Sequence, residues 1–363
     1  MPGAPVRYSP AVEQPQADED KTIGQLEEQF DIVQHTTARD YGHAVRAVHA
    51  KAHGIVRGRL TVKGGLKPEL AQGLFARPGV YEAIARISTQ PGDILDDSVN
   101  SPRGLALKVI GVEGERLPGS EGDTTQDFIL VNGPVFGAPD TKKFLANLTL
   151  LAKTTDRIEG VKKALSAVLQ PIEAGLEAIG RPSPNLQQLG GAAPVHPLGE
   201  TYYSQTAYRF GDHIAKFALF PVSGGLTKLT GSHVHTSGRP DAIRGAVNEE
   251  LIEHGGTWEL RVQLCRDLDK QPVEDATVEW TADDSPFEPV ATLAVEPQLG
   301  WEPMASGKTD DALSFNVWHG LAAHQPLGNV NRARNDPYRR SADFRGRTNG
   351  CPMHEPKALA EVP

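Results

Sequence analysis

The sequence has little cysteine and no excess of basic residues. Its 363 residues include two cysteines, Cys265 and Cys351, which are too few for a disulfide framework and lack the spacing of a structural zinc site. Lysine and arginine number 37 against 46 aspartates and glutamates, so the formal net charge is -9. This balance argues against a nucleic-acid-binding protein, because such proteins gain affinity by neutralising phosphates.

Long hydrophobic runs are also missing. No stretch of about 18 apolar residues occurs, and the first residues contain no apolar run of signal-peptide length. Hydrophobic residues at 39% and charged residues at 23% are typical of a soluble globular protein. We therefore expect no transmembrane segment, no export, and a cytoplasmic location.

The chain changes character along its length. Residues 1–22 are rich in Pro, Gln, Asp and Glu, which predicts an extended N-terminal arm. Residues 24–35 and 38–50 follow with helical patterns. A helical insertion is predicted at about 140–180, where apolar residues recur at helical spacing: Phe144, Leu148, Leu151, Leu165, Leu169 and Ile172.

Two β-rich blocks flank this insertion. Short apolar runs separated by Gly, Pro, Asp and Ser clusters favour an antiparallel sheet or barrel. The runs include HGIVRGRLTV, VYEAIARIST, RGLALKVI and DFILVNGPVF before the insertion, and HIAKFALFPV and TWELRVQLC after it. Because one barrel needs strands from both blocks, we predict an α+β fold with a single domain over residues 23–345, followed by a tail at 346–363.

Two separated motifs carry the chemistry. The stretch RAVHAKA sets His49 among basic residues, and Arg334 lies four residues before Tyr338 near the other end of the chain. A ferric haem that reacts with peroxide needs an axial oxygen ligand whose negative charge is supported, and an imidazole base on its opposite face. The two motifs together supply both.

A third motif, ARIST at 85–89, supports this interpretation. Arg86 and Ser88 are two residues apart and therefore point to the same side of a strand. The arginine can hold an anionic group. The serine can bond to the Nδ1 atom of an imidazole, which leaves Nε2 free to act as a base.

In order and spacing, these motifs resemble those of the haem catalases, and most closely their short relatives, the catalase-related haem peroxidases. RAVHAKA resembles the R-x-x-H-A-K-G segment of that family, and ARIST followed by SPRGLALK resembles V-R-F-S-T and D-P-R-G-F-A-V-K. The resemblance implies that His49 is the distal histidine and that Ser88 bonds to it. It also implies that Arg46 and Arg86 contact the haem propionates.

The resemblance extends to the C-terminal motif. It implies that Tyr338 is the iron ligand of haem b, supported by Arg334, and that Arg345, seven residues further on, also binds the cofactor. Phe128 and Phe136 match the phenylalanines that line the distal pocket. The implied fold is a catalase-like antiparallel β-barrel with inserted and flanking helices, without the C-terminal helical domain of full-length catalases, since the chain ends soon after Arg345.

Two positions depart from the family pattern. GDTTQDF stands where catalases have G-N-N-T-P-x-F, so Asp123 replaces the distal asparagine that helps to bind peroxide. A carboxylate cannot donate as an amide does, which predicts slow catalase turnover. Pro337 precedes Tyr338, so either the helix there is kinked or a new helix starts with Asp336 as its N-cap.

These observations predict a haem peroxidase that reduces hydrogen peroxide or organic hydroperoxides with an organic electron donor, with weak catalase activity. A fatty-acid hydroperoxide isomerase or dehydratase would keep the same residues. The third interpretation is a non-catalytic barrel that binds haem or lipid. The expected partners are a peroxide with a small organic reductant, or a lipid hydroperoxide, and a homodimer is compatible with all three.

Overall fold

The structure is a computed structural model that describes residues 3–155, 192–353 and 355–363. The predicted helical insertion is seen through one helix, Thr141–Thr155. Its remaining predicted positions, Leu165, Leu169 and Ile172, lie outside the described residues.

Eight of the strands in the described residues form a closed antiparallel barrel. In chain order the strands are β1 (Ala52–Val62), β2 (Gly79–Thr89), β3 (Arg103–Ile110), β4 (Thr125–Val131), β5 (Tyr202–Tyr203), β6 (Tyr208–Phe210), β7 (His213–Pro221), β8 (Gly256–Leu264) and β9 (Phe287–Val295). The ring runs β5-β4-β3-β2-β1-β9-β8-β7 and closes where β7 pairs with β5, while β6 pairs with β7 outside it. The predicted antiparallel barrel is thus confirmed, with strands from both β-rich blocks.

An aromatic cluster fills part of the core. Phe128 and Phe217 meet edge to face with ring centroids 4.8 Å apart, and Phe75 lies 6.5 Å from Phe128. His324 is fully buried beside these rings, and its Nε2 accepts a hydrogen bond from the backbone N–H of Leu74 at 3.0 Å. Eight strands enclose a space that side chains of this size can fill.

The described helices are α1 (Glu19–Tyr41), α2 (Thr141–Thr155), α3 (Gly224–Lys228), α4 (Ala242–His254), α5 (Pro303–Ala312), α6 (Asn329–Arg332) and α7 (Asn335–Asn349). Helix α1 buries Leu26, Phe30 and Val33, at the three-to-four-residue spacing of one helix face. It ends at Gly42, whose φ of 65° is the left-handed conformation that glycine adopts readily.

The path after α1 differs from the sequence prediction. Instead of a second helix over 38–50, residues 42–51 are non-helical, and His49 has a φ of 54°. This left-handed conformation is costly for a residue other than glycine. Its backbone N–H donates to the Gln90 carbonyl at 2.7 Å, which ties the segment to the end of β2.

The ends of the chain lie against the barrel. The Val6 N–H donates to the Cys265 carbonyl at 2.8 Å, and α1 begins at Glu19, inside the predicted arm. After α7, Val362 is buried in the core. Beyond α7, the described residues contain one short 3-10 turn, Leu359–Glu361, and no helical domain.

Candidate active site

A cavity lies between the barrel and two helices, α1 and α7. Its polar lining comprises Arg46, His49, Arg86, Ser88, Ser314, Tyr338, Ser341 and Arg345. Its apolar lining is formed by Phe30, Ala47, Val48, Leu105, Ala106, Ile129, Leu130, Phe315, Pro337 and Ala342, together with the backbone of Gly104.

His49 and Ser88 meet as the sequence predicts. Ser88 Oγ lies 3.2 Å from His49 Nδ1 and 3.5 Å from the Gly104 carbonyl. A proton on Nδ1 that is donated to the serine leaves the Nε2 lone pair free. Gly104 makes this contact possible, because a Cβ there would lie 2.5 Å from the imidazole.

The electrostatic environment keeps this histidine neutral. Burial, followed by the positive charges of Arg86, Arg334 and Arg46, lowers the pKa of His49 to about 3. An imidazole with this pKa is neutral at neutral pH, and in the tautomer that keeps its proton on Nδ1, toward Ser88, Nε2 can accept a proton.

Three arginines lie on one side of the cavity and are referred to below as the arginine cluster: Arg46, Arg86 and Arg345. Arg46 Nη1 lies 2.5 Å and Arg86 Nε 2.6 Å from the same carboxylate oxygen, Oδ1 of Asp310. Arg345 Nη1 donates to the Asp310 backbone carbonyl at 3.2 Å. Sequence reasoning identified the arginines but missed Asp310, which lies in α5 outside every motif that was singled out.

The arginine cluster retains unused hydrogen-bonding capacity. Within the described part of the chain, the buried Nε of Arg345 has no hydrogen-bond partner. Burial lowers the pKa of Arg46 well below its ordinary value, with further lowering from Arg345 and Arg86. A buried donor without a partner, beside like charges, is the environment in which an anionic ligand is stabilised.

Tyr338 reaches the same cavity from α7. The helix begins at Asn335 with Arg334 as its N-cap, two residues before the predicted start, so Asp336 is not the cap. Pro337 falls in the first turn, where its missing N–H removes no intrahelical hydrogen bond. The chain therefore accommodates the departure from the family pattern by starting a new helix here rather than by kinking one.

Arg334 lies four residues before Tyr338 and is buried. Its Nη1 donates to Asn331 Oδ1 at 3.3 Å, and its guanidinium lies 5.3 Å from the centre of the Phe136 ring. Phe136 in turn packs edge to face on Phe144 of α2, with centroids 5.2 Å apart. Phe136 thus packs against Arg334, and it does not belong to the residues found to line the cavity in the described part of the chain.

Two other predicted residues lie elsewhere. Phe128 belongs to the aromatic cluster of the core. Asp123 lies in the turn before β4, where its Oδ2 is 3.0 Å from His319 Nε2. The cavity meets β4 at Ile129 and Leu130, near the C-terminal end of the strand, whereas Asp123 lies before its N-terminal end at Thr125, so the two are separated by most of the length of β4.

Comparison with known proteins identifies the fold. No family model matches the sequence, and no curated protein matches it. A fungal catalase structure matches with a TM-score of 0.59 and 16% identity, over 87% of this chain and 67% of the catalase. Catalase A from Saccharomyces cerevisiae gives 0.57 and 18%, over 95% and 68%.

A bacterial catalase structure gives a TM-score of 0.57 and 15% identity, over 94% of this chain and 63% of the catalase. The class of fold is therefore the catalase-like β-barrel with flanking helices. At this identity the likeness establishes the fold, and the reaction must be argued from the cavity. Within the described residues, no helix is long and apolar enough to cross a membrane.

Proposed function

We propose that this protein is a haem-dependent peroxidase that reduces hydrogen peroxide or organic hydroperoxides with an organic electron donor. One observation carries the proposal: a single cavity holds a neutral histidine bonded to Ser88, a tyrosine from α7, and the arginine cluster. The catalase-like fold supports an oxidoreductase that acts on peroxide.

The residues present fit haem b. The arginine cluster carries three positive charges against the single carboxylate of Asp310. Two charges remain, which equals the number of propionate groups on haem b. The unpartnered Arg345 Nε supplies a donor for one of these carboxylates, and Tyr338 supplies an oxygen ligand for ferric iron.

Haem, when bound, would supply redox chemistry, since its iron can store oxidising equivalents. His49 Nε2 would take the proton from the terminal oxygen of the hydroperoxide and pass it to the other peroxide oxygen, which leaves as water or an alcohol. Ser88 keeps the ring in the orientation that this transfer needs. Overall, one hydroperoxide and one two-electron donor give an alcohol, water and the oxidised donor.

Reduction by an organic donor is favoured over oxidation of a second peroxide. Among the described residues that line the cavity, no side chain is a carboxamide, so the amide donor that assists catalases is missing from this lining. The original basis of the weak catalase activity, Asp123 in the distal position, is lost, because Asp123 lies with His319 instead of in the cavity. The proposal of weak catalase activity now rests on the missing carboxamide alone.

The test is an optical spectrum of the purified protein reconstituted with haem, followed by titration with hydrogen peroxide and an organic hydroperoxide. We expect a high-spin ferric spectrum, and peroxide consumption that depends on an added donor such as guaiacol. The variant Tyr338→Phe should lose this spectrum, whereas Tyr203→Phe, which removes the hydroxyl of a tyrosine that does not line the cavity, should keep it. A Tyr338→Phe variant with an unchanged spectrum would refute the assignment of the iron ligand.

The same experiment separates the two alternatives. Conversion of a fatty-acid hydroperoxide without any donor, under anaerobic conditions, would identify an isomerase or dehydratase. A Soret band without any peroxide reaction would indicate haem storage. Failure to form a Soret band would leave a lipid-binding barrel and refute the haem proposal.

A further inference from the structure

Asp310 joins all three members of the arginine cluster. Its carboxylate contacts Arg46 through Oδ1 and Arg86 through both oxygens, at 2.6 Å to Nε and 3.1 Å to Nη2. Its backbone carbonyl accepts from Arg345 and from Arg46, at 3.2 and 3.0 Å. The two-point contact with Arg86 helps to fix the plane of that guanidinium.

Arg86 also contacts the segment that carries His49, the candidate base. Arg86 Nη1 donates to the His49 carbonyl at 2.9 Å, and Nη2 donates to the Ala50 carbonyl at 3.2 Å. His49 has the unfavourable φ of 54°, so its backbone must be held by its neighbours. Asp310 therefore acts on His49 through Arg86.

The carboxylate is permanently charged in this setting. Burial raises the pKa of Asp310, but the charges of Arg46 and Arg86 outweigh that effect and hold the pKa well below its ordinary value. A constant negative charge reduces the repulsion among three guanidiniums that lie close together. It also leaves the cluster with two positive charges in excess.

We propose that Asp310 is a positioning residue: it sets the orientation of Arg46 and Arg86 so that the cavity selects a ligand with two carboxylates, and it holds the His49 backbone through Arg86. The inference rests on the proposed haem function, because haem b is the dicarboxylate in question. It assigns a role to a residue that touches neither the peroxide nor the iron ligand.

The test compares wild-type protein with Asp310→Asn, and with Asp311→Asn as the matched control. Asp311 is the next residue, is more exposed, and pairs with His43. Each protein is reconstituted with iron protoporphyrin IX and with its dimethyl ester, and release to excess apomyoglobin is timed. We expect Asp310→Asn to release the free acid about tenfold faster or more, the effect of weakening one hydrogen bond to a charged group.

The comparison with the dimethyl ester shows whether Asp310 acts on the binding of the two carboxylates or only on the general stability of the cavity. Wild-type protein and Asp311→Asn should retain the free acid far longer than the ester, and Asp310→Asn should lose most of that preference. A merely structural role would speed the release of both ligands equally. Equal release of the free acid from Asp310→Asn and wild-type protein, or slower release because a competing carboxylate is gone, would overturn the inference.

Two further outcomes are decisive. If wild-type protein forms no Soret band, the haem proposal fails and this inference fails with it; if wild-type protein binds haem and Asp310→Asn matches it, the inference alone fails. Should Asp310→Asn not fold, Asp310→Glu keeps the charge but moves the carboxylate by one methylene. Release from that variant should be several-fold faster, and an unchanged rate and ester preference would overturn the inference.

Discussion

Replacement of Gly104 by alanine should remove the candidate base from its working position without removing haem. A Cβ built on Gly104 lies 2.5 Å from His49 Cε1 and 2.5 Å from Nδ1, and ordinary contacts begin at 3.4 Å, so the imidazole must move by about 0.9 Å. That movement breaks the 3.2 Å contact with Ser88. A misplacement of about 1 Å in a catalytic group can cost about 10²-fold in rate.

The assay is stopped-flow mixing of the haem-loaded variant with hydrogen peroxide, which gives a second-order rate constant for peroxide cleavage. Gly133→Ala is the matched control, because a Cβ there has its nearest neighbour at 3.8 Å. We expect a loss of about 100-fold for Gly104→Ala and none for Gly133→Ala, with similar Soret intensities. A Gly104→Ala variant that cleaves peroxide at the wild-type rate would show that His49 is not the base.

Three other predictions concern single side chains. His49→Ala should keep haem but lose at least about 10²-fold in peroxide cleavage, with a smaller loss for Ser88→Ala, both measured by stopped flow. Asp123→Asn should leave oxygen evolution unchanged, because the carboxylate lies on His319; increased evolution would place it at the cavity instead. Burial, as the largest cause, lowers the pKa of His324 to about 3. Below pH 6.5 this histidine is therefore protonated in the unfolded chain but remains neutral in the folded protein. Stability is therefore lost as the pH falls, by about 2 kcal/mol from this histidine between pH 6.5 and 5, and urea unfolding of His324→Phe should show a correspondingly shallower pH dependence.

The barrel could be predicted because its signals are local. Short apolar runs bounded by Gly, Pro and Asp clusters mark strands one at a time, and the need to close a ring joins the two blocks. The prediction of a helix over 38–50 was wrong beyond residue 41 for a physical reason: Gly42 ends α1, and the backbone N–H of His49 donates to the Gln90 carbonyl. A long-range contact of this kind leaves no pattern in the local sequence.

Within the site, motif spacing placed His49 and Ser88 in contact as expected. Phe128 is one residue and Asp123 six residues away in sequence from Ile129, which lines the cavity, and neither of the two lines it. A strand carries its side chains to alternate faces and advances about 3.3 Å per residue, so an offset of one residue changes the face and an offset of six changes the end of the barrel. The direction of β4 relative to the cavity determines which face and which end of the strand meet the cavity, and this direction cannot be predicted from the local sequence.

The organisation of the arginine cluster depends on residues still further apart. The Leu313 carbonyl accepts from Arg46 at 2.8 Å and from Arg345 at 3.1 Å, and the next residue, Ser314, donates to Glu355 Oε1 at 3.1 Å. Glu355 is itself held by the fully buried Lys108, whose Nζ lies 2.7 Å away. The segment after α5 is thus fixed on one side by the arginines and on the other by the C-terminal tail. Because each of these contacts joins residues distant in sequence, the motifs identify the groups that bind a ligand, whereas the folded chain determines how those groups are oriented.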